Sequence, residues 1–226
     1  MAATILAVVV VVSVVSKQPS TGAPFETPAV QPLPSILLLG DSYAAGTGAS
    51  LPGKSWAGLV STNTDWTVTN LARGGTGFLK SYQTGGFSAC GQEECPDFQT
   101  MAERAYRDGV DPDLIVVSGG RNDLSQPVGQ EQTAVRSLFL FLEKRFPHAR
   151  IVATNPLWDA SDAPAALSKL GDYIRERVGG ANFLDLGQPL AGRPDRVADD
   201  DVHPNDQGHA AIARAIRPLL GDALKN

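Results

Sequence analysis

Four short blocks of this 226-residue chain hold residue types that could do chemistry together: Gly40-Asp41-Ser42, Asn70 with Gly74 and Gly75, Gly120-Arg121-Asn122-Asp123, and Asp200 to His203. A hydroxyl, an imidazole, a carboxylate, a side-chain amide and glycine N–H groups are the inventory for acyl transfer by a serine nucleophile. In that chemistry Ser42 attacks a carbonyl carbon, His203 takes its proton and Asp200 orients the imidazole. Asp200 and His203 are three residues apart, so on a tight turn the carboxylate reaches Nδ1 and leaves Nε2 facing Ser42, while Asp199 and Asp201 point elsewhere. The oxyanion needs fixed donors, and the backbone N–H of Ser42, the backbone N–H of Gly75 and the amide of Asn122 can supply them. Gly75 suits because no side chain shields its N–H; Gly74 is a neighbour of equal chemistry.

Each residue also has a plainer reading. Ser42 or Asp41 could cap a helix, Asn122 and Asp123 could form a turn, and His203 could sit on the surface ahead of a helix capped by Asn205 or Asp206. What favours the chemical reading is that the blocks follow successive predicted strands. Residues 36–39 (I-L-L-L) form an aliphatic run that stops at Gly-Asp-Ser, as a buried parallel strand does at the rim of a sheet. Strands are expected also at 66–71, 113–118, 150–154 and 182–186. Helices are expected at 56–62, 98–107, from about 130 to Pro147, at 164–178 and at 206–220. Residues 73–96 are rich in glycine and read as a long surface loop. Strands alternating with helices give a three-layer α/β/α, flavodoxin-like domain with a five-stranded parallel sheet, whose C-terminal edge collects all four blocks.

In their order and content the blocks resemble the SGNH hydrolase superfamily, the GDSL-type esterases and lipases. G-D-S at 40–42 matches the nucleophile block, N-L-A-R-G-G at 70–75 the glycine block, G-R-N-D at 120–123 the asparagine block, and D-D-V-H at 200–203 the histidine block. The resemblance spans nearly the whole folded part and implies a Ser42-His203-Asp200 triad acting through an acyl-enzyme. The implied substrates are small-molecule, lipid or glycan carboxylic esters, attacked without a cofactor or metal. Tyr43 departs from the leucine that many members carry after the serine.

A second motif competes. Residues 48–55 (G-A-S-L-P-G-K-S) fit the phosphate-cradling G-x-x-x-x-G-K-S loop letter for letter. That loop needs a strand running into its first glycine, and the predicted strand ends well before Gly48. A non-catalytic carbohydrate-binding module using the same edge is a further alternative. Arg73 and Arg121 flank the expected oxyanion hole and either select an anionic substrate or pair with nearby aspartates. The aromatics Tyr43, Phe78, Tyr82, Phe87 and Trp158 lie on the loops expected to wall the cleft. His209 reads as structural.

The formal charge of -5, with no run of Lys or Arg, argues against a nucleic-acid partner. Residues 1–16 are almost wholly aliphatic, too short for a spanning helix of about 20 residues but suited to a signal peptide or short membrane anchor. No basic residue precedes that segment. Residues 17–35, with five prolines, read as a linker, and 36–226 as the catalytic domain of an exported, monomeric protein. Cys90 and Cys95 would pair in an exported protein and stay free thiols in a cytosolic one. Two cysteines and three scattered histidines do not make a zinc set.

Overall fold

The computed structural model describes residues 33–62, 65–83, 90–91 and 94–225. The expected leader, most of the linker and Phe87 lie outside the described residues. In chain order the regular elements are β1 (Ser35–Gly40), α1 (Ser42–Ala45), α2 (Trp56–Thr62), β2 (Thr67–Asn70), β3 (Tyr82–Gln83), β4 (Glu94–Cys95), α3 (Phe98–Arg107), β5 (Leu114–Ser118), α4 (Val128–Arg145), β6 (Arg150–Thr154), α5 (Ala165–Val178), β7 (Phe183–Leu184) and α6 (Asp206–Lys225). Strands β2-β1-β5-β6-β7, in that order, form one parallel sheet, and β3 and β4 pair separately as an antiparallel hairpin.

The two-residue period of a strand explains why the aliphatic runs show no polar alternation. Leu38, Leu114 and Val116 face a layer built by Trp56 and Val60 of α2 and Ile212, Ile216 and Leu220 of α6. Their neighbours Leu37, Leu39, Ile115 and Val117 face Phe98 and Met101 of α3, Leu138 and Leu142 of α4, and Ile174 of α5. Every residue of β5 is buried, so both faces of the sheet are covered at its centre.

Three expectations about elements are corrected. The strand expected over 182–186 is only Phe183–Leu184: Leu186 gives its N–H to the Asn155 side chain at 2.7 Å and leaves the ladder. The last helix runs past Leu220 to Lys225 in spite of Pro218. Pro218 is exposed, so the backbone partner it leaves unpaired faces water, and burial of Leu220 and Ala223 carries the helix on. The 73–96 loop is not featureless: the β3–β4 hairpin lies within it, and a Cys90–Cys95 disulfide closes its second arm. Among the described residues no helix is long and apolar enough to cross a membrane.

Candidate active site

Ser42 opens α1 directly after β1. The Asp41 carboxylate caps that helix by accepting the Tyr43 N–H at 3.0 Å, and Gly46 ends it in the left-handed conformation at φ +91°. So short a helix turns the chain sharply and leaves Ser42 at the strand end. A side chain at Gly40 would meet the Ser118 carbonyl oxygen at 2.4 Å and the Ala44 Cβ at 2.6 Å, so only glycine lets β1, β5 and α1 meet this closely. Asp41 is fully buried in this corner; burial pushes its carboxyl up to about 6, against the Tyr43 N–H and the Arg121 charge.

His203 sits on a tight turn between α6 and the preceding segment. Ala198 donates to the His203 carbonyl at 2.8 Å, and Asp201 adopts φ +59°, the left-handed value such a turn needs. One Asp200 oxygen accepts the Val202 and His203 N–H groups at 3.0 and 2.9 Å, and the other lies 2.6 Å from His203 Nδ1. These bonds, first the one to the imidazole, hold the Asp200 carboxyl down at about 2, so it stays an anion across the working pH range. The imidazole is thereby oriented with Nε2 free.

The turn and the start of α6 are tied in three places to α1 and the segment that follows it. The Tyr43 hydroxyl donates to the Val202 carbonyl at 2.5 Å, and the Tyr43 and His203 rings lie 6.1 Å apart. Gly48, at φ +91°, lies under the turn so closely that a Cβ there would meet the Pro204 oxygen at 2.3 Å. Lys54 and Ser50 bind the Asp206 carboxylate at the start of α6, while Asn205 caps it. Most of the apparent phosphate loop thus serves as a brace, and β1 ends eight residues before its first glycine. The Ser42 hydroxyl makes no hydrogen bond to His203 here; catalytic bonds commonly tighten only when substrate is present.

The three residues of the short turn after β5, Arg121–Asp123, each hold a different neighbour. Asn122 donates one amide hydrogen to the Thr76 carbonyl at 2.9 Å, and Thr76 closes its own turn by donating to the Arg73 carbonyl at 2.8 Å. Inside that turn Gly75 adopts φ +74°, a value that favours glycine, whereas Gly74 does not. Asp123 is wholly buried and accepts the N–H groups of Phe78, Leu79 and Lys80 at 2.7, 3.1 and 2.9 Å. Burial pushes its carboxyl up, and the three amides pull it down. Arg121 pairs with the Asp159 carboxylate at 3.0 Å, donates to the Tyr43 hydroxyl at 2.5 Å and stacks on Trp158 at 4.2 Å. For Arg121 the ion-pair reading holds.

Sequence reasoning saw Asp123 only as a turn former and Tyr43 only as a cleft residue. Their partners lie 43 to 45 and 159 residues away, so no local signal marks them. His209 is fully buried: Nδ1 accepts the Trp56 N–H at 3.3 Å and Nε2 donates to the Thr47 carbonyl at 3.0 Å, and burial lowers its pKa. It is a neutral structural histidine.

One buried carboxyl belongs to none of these contacts. Glu131 in α4 is only 6% exposed, its Oε1 has no hydrogen-bond partner, and burial, with Asp123 second, pushes it up to about 7. A native value above the unfolded one means stability present at acid pH and lost as pH rises through about 7. Glu131→Gln should therefore match the wild type near pH 5 and gain about 1–3 kcal/mol by pH 8, a rise in Tm of about 3–8 °C. Thermal unfolding at the two pH values checks this; an equal Tm difference at both would show that the carboxyl is not desolvated.

Residues 38–211 match the GDSL-like Lipase/Acylhydrolase family. The chain is 32% identical over 200 residues to GDSL lipase Rv0518 of Mycobacterium tuberculosis, covering 82% of this chain and 80% of that one. It is 26% identical over 223 residues to an acetylxylan esterase / glucomannan deacetylase of Cellvibrio japonicus, covering 88% of this chain but 60% of the relative. Among solved structures, a family two carbohydrate esterase from Cellvibrio japonicus superposes with a TM-score of 0.65 at 22% identity, over 87% of this chain and 63% of the other, which speaks to fold.

Proposed function

Because the chain belongs to the GDSL-like lipase/acylhydrolase family and is a carboxylic ester hydrolase, we propose that it works through a serine acyl-enzyme, with Ser42 as nucleophile, His203 as base and Asp200 as its orienting acid. The observation that carries this reading is the Asp200–His203 turn, tied through Tyr43 to the helix that opens with Ser42. His203 Nε2 takes the Ser42 proton as Oγ bonds to the carbonyl carbon. The oxyanion is met by the Ser42 N–H, the Gly75 N–H and the second amide hydrogen of Asn122. Collapse expels the alcohol, which receives the proton from His203, and water then clears the acyl group by the same route in reverse. The anionic Asp200 stabilises the imidazolium formed at each step.

The substrate we assign is a short-acyl ester, first of all the acetyl ester of a sugar. Two features support it: a relative named acetylxylan esterase, and the half-buried Trp158 beside Arg121, an aromatic that a sugar ring can meet. The Cys90–Cys95 disulfide supports export. A panel of aryl and sugar esters of increasing acyl length, run beside Ser42→Ala, tests the assignment. Acetyl and propionyl esters should turn over fastest, and the variant should cleave none; a rate rising through decanoyl would make the protein a lipase of long chains instead.

A further inference from the structure

Arg73 is the charged residue that the chemistry above does not use. It stands two residues before Gly75, and its Nη1 donates to the Leu71 and Ala72 carbonyls at 3.3 and 2.9 Å. Among the described residues no carboxylate pairs with it, and the Nε–Nη2 edge of its guanidinium, the edge that matches a carboxylate with two parallel bonds, is open. Arg121, the other arginine of the sheet edge, is by contrast paired with Asp159.

The surroundings of Arg73 are equally distinctive. It borders a polar pocket of about 490 Å³ lined by Gly46, Thr47, Asn70, Gly74 and Cys90, among others. Among the described residues no aspartate or glutamate lines it. The groove between α3 and α4 carries Asp97 and Glu103, the pocket beside α5 carries Asp172 and Asp185, and the small cavity between α4 and α5 carries Glu131. Asn70 is already spent, donating to the Ala44 carbonyl and accepting from the Ala72 N–H, so it adds no free acceptor for a cation. Partial burial and the charge of Arg104 both disfavour the protonated guanidinium, a cost that an anion would relieve.

The lining of the pocket is also bonded to the short helix that opens with Ser42. Gly46 and Thr47 give their N–H groups to the Ser42 carbonyl at 3.1 and 3.0 Å, and Gly74 precedes the proposed oxyanion donor. We infer that this pocket is a subsite for a carboxylate carried by the ester substrate, with Arg73 as the residue that selects it. The inference rests on Ser42 being the reacting residue. It places acidic esters, such as acetylated uronic-acid sugars or half-esters of dicarboxylic acids, ahead of their neutral counterparts.

The test uses two pairs of esters: 4-acetoxybenzoate against its methyl ester, with the charge on the alcohol side, and monophenyl succinate against its methyl ester, with the charge on the acyl side. Affinity is read by calorimetry on full-length Ser42→Ala, where turnover does not interfere, and kcat/KM on the wild type. In at least one pair the carboxylate should bind about 10- to 100-fold more tightly, and raising NaCl from about 0.05 to about 0.5 M should shrink the ratio. Adding Arg73→Gln should remove the preference, and Arg73→Lys should restore part of it through charge alone. Equal affinities in both pairs, or a preference unchanged by Arg73→Gln, would overturn the subsite. If Arg73→Gln fails to fold, the ratio in the Ser42→Ala chain and its salt dependence decide alone. The affinities are independent of turnover, so a wild type that cleaves none of the four esters counts against the acyl-enzyme reading, and the calorimetry still decides the subsite.

Discussion

His203→Ala should lower kcat by about 10⁴-fold or more while leaving KM within a small factor, because the imidazole acts on the proton in flight and not on the bound ground state. Asp200→Asn keeps the shape but loses the anion that lies 2.6 Å from Nδ1. It frees the imidazole to take the wrong tautomer, and a loss of up to about 10⁴-fold is expected. The two effects should not add: once His203 is gone, changing Asp200 has nothing left to orient, so the double variant should resemble His203→Ala. Steady-state rates of the three variants on one acetyl ester give the answer, and additive losses would mean that Asp200 acts elsewhere.

The second large effect is expected at Asp123, which touches no substrate. Its carboxylate is wholly buried and is the acceptor for three consecutive backbone N–H groups, Phe78 to Lys80. Asp123→Ala would leave those donors without a partner in the interior. At about 1–3 kcal/mol for each unsatisfied group, partly offset by relaxation and entering water, a loss of about 3–5 kcal/mol is expected. The segment they anchor follows the Gly75–Thr76 turn, so the residual folded protein should also lose kcat. Asp123→Asn keeps an oxygen for part of the set and should fall between. Gly77→Ala should reproduce the defect from the other side, since a Cβ there would lie 2.1 Å from Asp123 Oδ2. Urea unfolding and kcat measured together check this; a variant as stable as the wild type would remove Asp123 from its anchoring role.

What could be read from the sequence and what could not divide along the range of the interactions. The runs at 36–39 and 114–117 declared themselves because both faces of those strands are buried, leaving no polar residue to interrupt them. The Asp200–His203 contact was legible because it is local, three residues apart on one turn. The strand expected over 182–186 was drawn too long and the β3–β4 hairpin was missed: two-residue strands carry no period, and long-range pairing or a disulfide holds them where propensity does not. Gly74 and Gly75 are chemically equal as letters, and only the backbone angle separates them. Arg73 and Arg121 looked alike for the same reason, until Asp159, 38 residues from Arg121, was found against one of them.

The most direct measurement of the central claim is covalent capture of the nucleophile. Treated with a fluorophosphonate, the wild-type chain should gain the mass of one phosphonyl group, located by peptide mapping on Ser42 and accompanied by complete loss of esterase activity. Ser42→Ala should gain none. Capture at a different serine, or equal labelling of Ser42→Ala, would contradict the assignment of Ser42 as the residue that attacks the ester.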